Sequence, residues 1–175
     1  VAASEEELRA FRDHTNLLGE SRTLYQLPDI TGEARREWDP ADESRRCACL
    51  YAALSNDPLV FVCTASSIVA ATPKPRDFGE QCFQLREGSG EYGPEALAEI
   101  LTELDYDNEY QVERPGEFAR RGGILDVYSP LYENPIRLEF FGDTIDSMRF
   151  FDPDSQRSIE PTSSVNIPPR GEKLL

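Results

Sequence analysis

The chain has 175 residues, 39% of them hydrophobic, enough apolar material for one substantial core or two small lobes sharing an interface, which excludes disorder along the whole length. A net charge of -15 and a pI near 4.4 give a field that repels phosphate backbones unless a local patch reverses it, so nucleic-acid binding starts at a disadvantage. No run approaches the roughly 18 apolar residues of a membrane span, and no basic stretch precedes an apolar one as a signal peptide needs, so a cytoplasmic chain without a membrane partner is expected.

The opening phrase VAASEEELRAF, with no initiator Met, reads as the end of a strand running into a helix, and as a piece of a longer polypeptide. Ser4 and Glu7 form a capping-box pattern, Leu8, Phe11 and Leu18 follow one helical face, and Gly19 is placed to end the turn. Thr23 to Leu27 reads as a short strand before Pro28, and the polar run from Asp29 to Pro40 as a surface loop. Asp42 is the expected cap of a second helix carrying Cys47, Leu50, Tyr51 and Leu54, stopped by Asn56-Asp57-Pro58. Leu59 to Cys63 is a continuous apolar run, the pattern of a strand buried on both faces, with a short helix from Ala65 to Ala71 beyond it. Strands alternating with helices predict a parallel, layered α/β lobe over residues 1–73, with a boundary at Pro73-Lys74-Pro75-Arg76, where proline opposes both helix and sheet.

The next stretch, residues 74–155, reads as a mostly antiparallel α+β module. It holds a strand from Gln81 to Leu85 and a helix opened by Pro94 with Leu97, Ile100, Leu101 and Leu104 on one side. Strands then follow at Tyr110 to Val112, Phe118 to Arg120, Ile124 to Tyr128, Ile136 to Phe141 and Thr144 to Phe151. Pro115-Gly116, Gly122-Gly123, Asn134-Pro135 and Gly142-Asp143 supply the turns. Within residues 156–175, Val165 to Ile167 reads as a strand that returns to the first lobe or leads into another.

Few residues offer chemistry. Cys47, Cys49, Cys63 and Cys82 contain no C-x-x-C pair and His14 has no plausible co-ligand near it in sequence, so buried thiols are expected and a zinc site is not. No G-x-x-x-x-G-K-[ST] loop is present, and the glycines of Glu87-Gly88-Ser89-Gly90-Glu91 are flanked by carboxylates that would repel phosphate. Asp143 with Asp146, and Asp152 with Asp154, sit in turn or loop contexts with no converging histidine, which favours structure over catalysis. From Glu87 to Glu109 there are eight acids and no Lys or Arg, whereas Gln111 to Asp126 balances three acids with Arg114, Arg120 and Arg121. Arg120-Arg121-Gly122-Gly123 therefore has two readings: a recognition patch for carboxylates on a partner, or a pair that offsets Glu117 and Asp126.

The segments PGEF, RGGILDV, EFFGD and FDPDSQRS, in this order and at tight spacing, resemble the bacterial UvrB and transcription-repair coupling factor (Mfd) family. The likeness is to the module that binds the nucleotide-excision-repair protein UvrA, and it is strongest from Glu109 to Ser158. REWDPADESRR stands where UvrB has a tyrosine-rich hairpin, and FDPDSQRS with SSVNIPPRGE resembles the coupling-factor branch. The resemblance implies a degenerate helicase-like lobe (UvrB domain 1a) followed by a UvrB domain 2-like module, with no catalysis in this chain. It further implies recruitment of UvrA to stalled RNA polymerase. Contacts with polymerase and DNA, and an ATP-dependent DNA translocase using ATP and Mg, would belong to other domains of the full-length protein. The alternative is a DNA-binding lobe of a UvrB-like repair helicase.

On the same basis the UvrA-binding residues fall on Arg121, Phe118, Arg120, Asn108 and Leu125. Asn108, two residues after Tyr106, and Ala119 stand where relatives often carry arginine. Adjacent strand residues face opposite sides, so Arg120 and Arg121 are expected on different surfaces, as are Phe140 and Phe141.

Overall fold

The computed structural model describes residues 23–28, 39–55, 57, 59–69 and 71–172. The expected helix from Ser4 to Gly19 with His14, residues 29–38 of the expected loop, and Asn56 and Pro58 of the helix stop lie outside the described residues.

Strands β1 (Thr23–Gln26) and β2 (Leu59–Val62) pair in parallel, and helix α1 (Pro40–Ala53) lies between them in the chain. The parallel β–α–β expectation holds to that extent. Asp39 rather than Asp42 caps the helix: its carboxylate accepts from the Ala41 N–H at 2.8 Å. Pro40 takes the first helical position, where a missing N–H costs nothing. Asp42 instead lends its charge to the first turn and pairs with Arg45. Strand β2 is only half-buried, with Phe61 38% exposed. Two-sided burial needs cover on both faces, and among the described residues its sheet has two strands.

Helix α2 (Ala65–Val69) is tied to α1 where Arg46 donates to the Ser67 carbonyl at 3.3 Å. Pro75, expected as a break, opens helix α3 (Pro75–Gly79), because proline's fixed φ suits a first turn. That helix seats Phe78 in the interior. Cys47 and Cys49 are buried, but Cys63 and Cys82 are only half-buried. Burial pushes the Cys49 and Cys82 thiols up to about 11, which keeps them protonated at neutral pH.

The main sheet has six strands in sequential order: β4 (Asp107–Asn108), β5 (Glu117–Arg121), β6 (Ile124–Val127), β7 (Ile136–Phe141), β8 (Thr144–Phe151) and β9 (Ser158–Pro161). All its neighbours are antiparallel except β4 and β5. The expected strand at Tyr110 to Val112 is absent. The two residues of β4 pair just before it, and Tyr110 stands 86% exposed in a bend. Strand β9, exposed throughout, has no apolar alternation to reveal it in sequence.

Helix α4 (Pro94–Glu103) covers one face of this sheet. Leu97, Leu101 and Leu104, one turn apart, are buried against Phe118, Leu125, Val127, Ile136, Leu138, Ile145 and Met148, each leucine contributing about 2 kcal/mol by leaving water. Strands β3 (Phe83–Arg86) and β10 (Ser164–Ile167) form an antiparallel ribbon with Phe83 opposite Ile167, so the last strand joins β3 rather than the first lobe. The residues after it carry the link to α1: Glu172 forms a buried ion pair with Arg46. Tyr106 also donates to the Pro168 carbonyl at 2.9 Å.

Candidate functional site

Side-chain alternation along β5 sorts the expected docking residues onto two surfaces. Phe118, 1% exposed, points into the core under α4 and meets Leu125, 0% exposed, which arrives from β6. Neither reaches the surface; both fix the strands that carry exposed neighbours. Arg120, on the same face, reaches over the sheet to pair with Glu95 of α4.

Arg121 lies on the opposite face. Its guanidinium donates to Asp126 at 2.7 Å and remains 41% exposed. Asp126 is 1% exposed and also takes both prongs of Arg137, at 2.7 and 2.8 Å. Arg137 bonds Gln156 at 2.8 Å and lies over the Phe151 ring, 4.3 Å from its centroid. The hydrogen bonds it donates to Asp126 raise the Arg137 guanidinium above the ordinary arginine value. Beneath this trio, Val112, Ala119, Tyr128 and Phe151 form a small apolar bed. Ala119 is part of that bed, 1% exposed, and offers no surface contact.

The same face continues outward with Glu139, which accepts from Arg149 at 2.5 Å and Ser147 at 2.9 Å. Those bonds, the arginine's first, pull its carboxyl down to about 2. The result is a charged ladder across β5 to β8.

Of the two sequence readings of the arginine pair, the structure bears on the charge-offsetting one, which holds for Arg121 with Asp126. Glu117, the other suggested partner, is buried and engaged elsewhere: it accepts from the N–H groups of Glu113 and Arg114 at 2.7 and 3.0 Å and from the Arg114 guanidinium at 3.1 Å. Asn108 is exposed on β4, at the sheet edge. Its neighbour Asp107 is held by Arg170 at 2.7 Å, and Arg170 also donates to the Asp105 carbonyl at 3.1 Å. Gly116, at φ +90°, lets the Arg170 stem cross close by; a Cβ there would lie 2.6 Å from Arg170 Cγ.

Asp143 and Asp152 serve the fold. A Cβ on Gly93 would fall 2.5 Å from Asp143 Oδ1, which places that carboxylate against the N-terminus of α4, where negative charge is favoured. Asp152 accepts the N–H and hydroxyl of Ser155, both at 2.7 Å, and those bonds hold its carboxyl below the usual range. The Gly88 turn is stitched to β8 through the Ile145 carbonyl at 2.8 Å. Phe140 packs against the core while Phe141, beyond it, is 84% exposed.

Arg137, Gln156 and Arg170 were not expected. Asp126 and Arg137 are direct cross-strand partners, so opposite charges at facing positions of two expected strands were a readable signal. Arg170 left none, since its contacts lie more than fifty residues away.

A family model described as UvrB interaction domain matches residues 83–172, from β3 to Glu172. A transcription-repair-coupling factor from Bacillus subtilis (strain 168) is 32% identical over 164 residues, 93% of this chain and 14% of the relative. One from Myxococcus xanthus is 48% identical over 85 residues, 49% of this chain and 7% of the relative. A UvrABC system protein B from Pseudothermotoga lettingae is 30% identical over 124 residues, 71% of this chain and 19% of the relative. The chain thus spans less than a fifth of the length of each of these relatives.

Proposed function

Because the chain belongs to the transcription-repair-coupling factor family and carries its UvrB interaction domain, we propose that it is a non-catalytic docking region for UvrA. The observation that carries this reading is Arg121: an arginine anchored by a buried carboxylate yet two-fifths exposed, on the sheet face that α4 leaves uncovered. An anchored guanidinium has lost much of its rotamer freedom already, so a partner carboxylate meets a prepared fork. Phe118 and Leu125 support its strand from below, and Asn108 lies exposed at the sheet edge, whereas Arg120 stands on the opposite face in its pair with Glu95.

In this reading residues 74–155 are the docking module and residues 1–73 a degenerate helicase-like lobe. The full-length protein would bring UvrA to stalled RNA polymerase, with polymerase and DNA contacts, and the ATP and Mg of translocation, in its other segments. The DNA-binding alternative is opposed by the -15 net charge. Titration of purified UvrA with the wild-type chain and with Arg121→Glu tests the reading. A loss of about tenfold or more in affinity is expected, as for an anchor residue at an interface; equal binding would refute it.

A further inference from the structure

We propose that Arg137 is a positioning residue of the docking face: by occupying Asp126 it leaves the Arg121 guanidinium turned outward, free to meet a carboxylate of UvrA. The inference rests on the docking reading above. Asp126 offers two oxygens, and Arg137 takes both through its fork, while Arg121 holds only the second of them, by one nitrogen. Two guanidiniums on one buried carboxylate leave a surplus positive charge, and it resides on Arg121, since Arg137 is 15% exposed and Arg121 41%.

A buried carboxylate demands compensation. If Arg137 were removed, Arg121 would be the remaining cation bonded to Asp126, and its fork would close inward over both oxygens. Arg149 is engaged by Glu139. The donors offered to a partner would then be spent inside the protein.

Arg137 is itself held in place. Phe151 supports its flat face and Gln156 accepts from its second prong. Gln156 takes a positive φ of 59°, its N–H donating to the Asp152 carbonyl and its amide to the Pro153 carbonyl, both at 2.8 Å. The turn between β8 and β9 thereby supports Arg121 through two intermediates.

The test is a double-mutant cycle in UvrA titration with Arg137→Met, Arg121→Ala and the pair. Arg137→Met is expected to weaken binding about fivefold in the wild-type background and to have almost no effect once Arg121 is alanine, since residues that act through one another are non-additive. Equal weakening in both backgrounds would overturn the proposal, because a merely structural role does not depend on Arg121. Nitrogen-15 NMR of the Arg121 guanidinium, without UvrA, gives a second readout: its protons exchange more slowly in Arg137→Met if the fork closes inward. Unchanged exchange would also overturn it. Gln156→Ala, which removes a single prop, is the variant to use if Arg137→Met melts early; the same coupling at smaller amplitude is expected. Should Arg121→Ala bind UvrA like wild type, the docking reading falls and the docking role of Arg137 with it, while the exchange measurement still reports whether Arg137 orients Arg121.

Discussion

Gly116→Ala is expected to destabilise the protein well beyond the usual cost of a surface substitution. Two effects combine at this position. An L-residue at φ +90° carries about 1–2 kcal/mol of backbone strain. The new Cβ would also lie 2.6 to 2.8 Å from Arg170 Cγ, Cδ and Nε. The arginine stem is flexible enough to move, but moving it releases Asp107 and the Asp105 carbonyl, and with Asp107 half-exposed that loss is about 1 kcal/mol or less. The sum is about 1–3 kcal/mol, or roughly 2–12 °C in Tm for a chain of this size. Gly122→Ala is the control, because Gly122 has a positive φ of 60° but open space around it; it should show the strain alone, about 1 kcal/mol. Thermal and urea unfolding followed by circular dichroism measure both. If Gly116→Ala loses no more than Gly122→Ala, or if adding Arg170→Ala does not recover part of the difference, the account of a crossing between Gly116 and Arg170 is wrong.

Arg46 and Glu172 pair with their side chains each 1% exposed, so truncating one partner should cost about 3–5 kcal/mol, and replacing both together (Arg46→Met with Glu172→Leu) should recover most of it. Urea midpoints of the three variants decide this, and additive losses would contradict it. The Glu139 carboxyl sits near 2 in the folded state against an ordinary value of 4.5. Its stabilisation is therefore complete above about pH 5 and disappears as pH falls toward 2. With 40% of the side chain exposed, solvent screening keeps the amount below about 1 kcal/mol. Glu139→Gln should flatten that part of the acid unfolding curve, and an unchanged curve would rule the contribution out.

The long antiparallel strands were legible because apolar alternation and glycine turns agree. The expected Ile136 to Phe141 and Thr144 to Phe151 strands coincide with β7 and β8, and Gly142 at φ +60° closes them. Helix α4 was equally readable from Pro94 and three leucines a turn apart. The cap of α1 was misplaced by three residues although Pro40, a favoured first helical residue, pointed to Asp39. Strand β4 escaped because two residues cannot show a period, and β9 because none of its residues is buried. At the candidate site, the pairing of Arg121 with Asp126 was readable as a charge balance between neighbouring strands. Phe118, three residues before Arg121 on one strand, had to face the other way, so its burial followed from alternation. Arg170 and the Arg46–Glu172 pair arise from contacts distant in sequence, Glu172 reaching a residue 126 positions earlier, and no local pattern encodes them.

The ribbon of β3 and β10 sets Phe83 beside Ile167, roughly 5 Å apart between α-carbons as in any antiparallel pair. The polypeptide therefore leaves for the sheet and comes back at a single doorway. A segment whose two ends are neighbours can be lifted from one host and set into another without stretching either. Joining those ends with a short linker and opening the chain at the exposed Gly142 hairpin would yield a permuted protein with the same Arg121 surface.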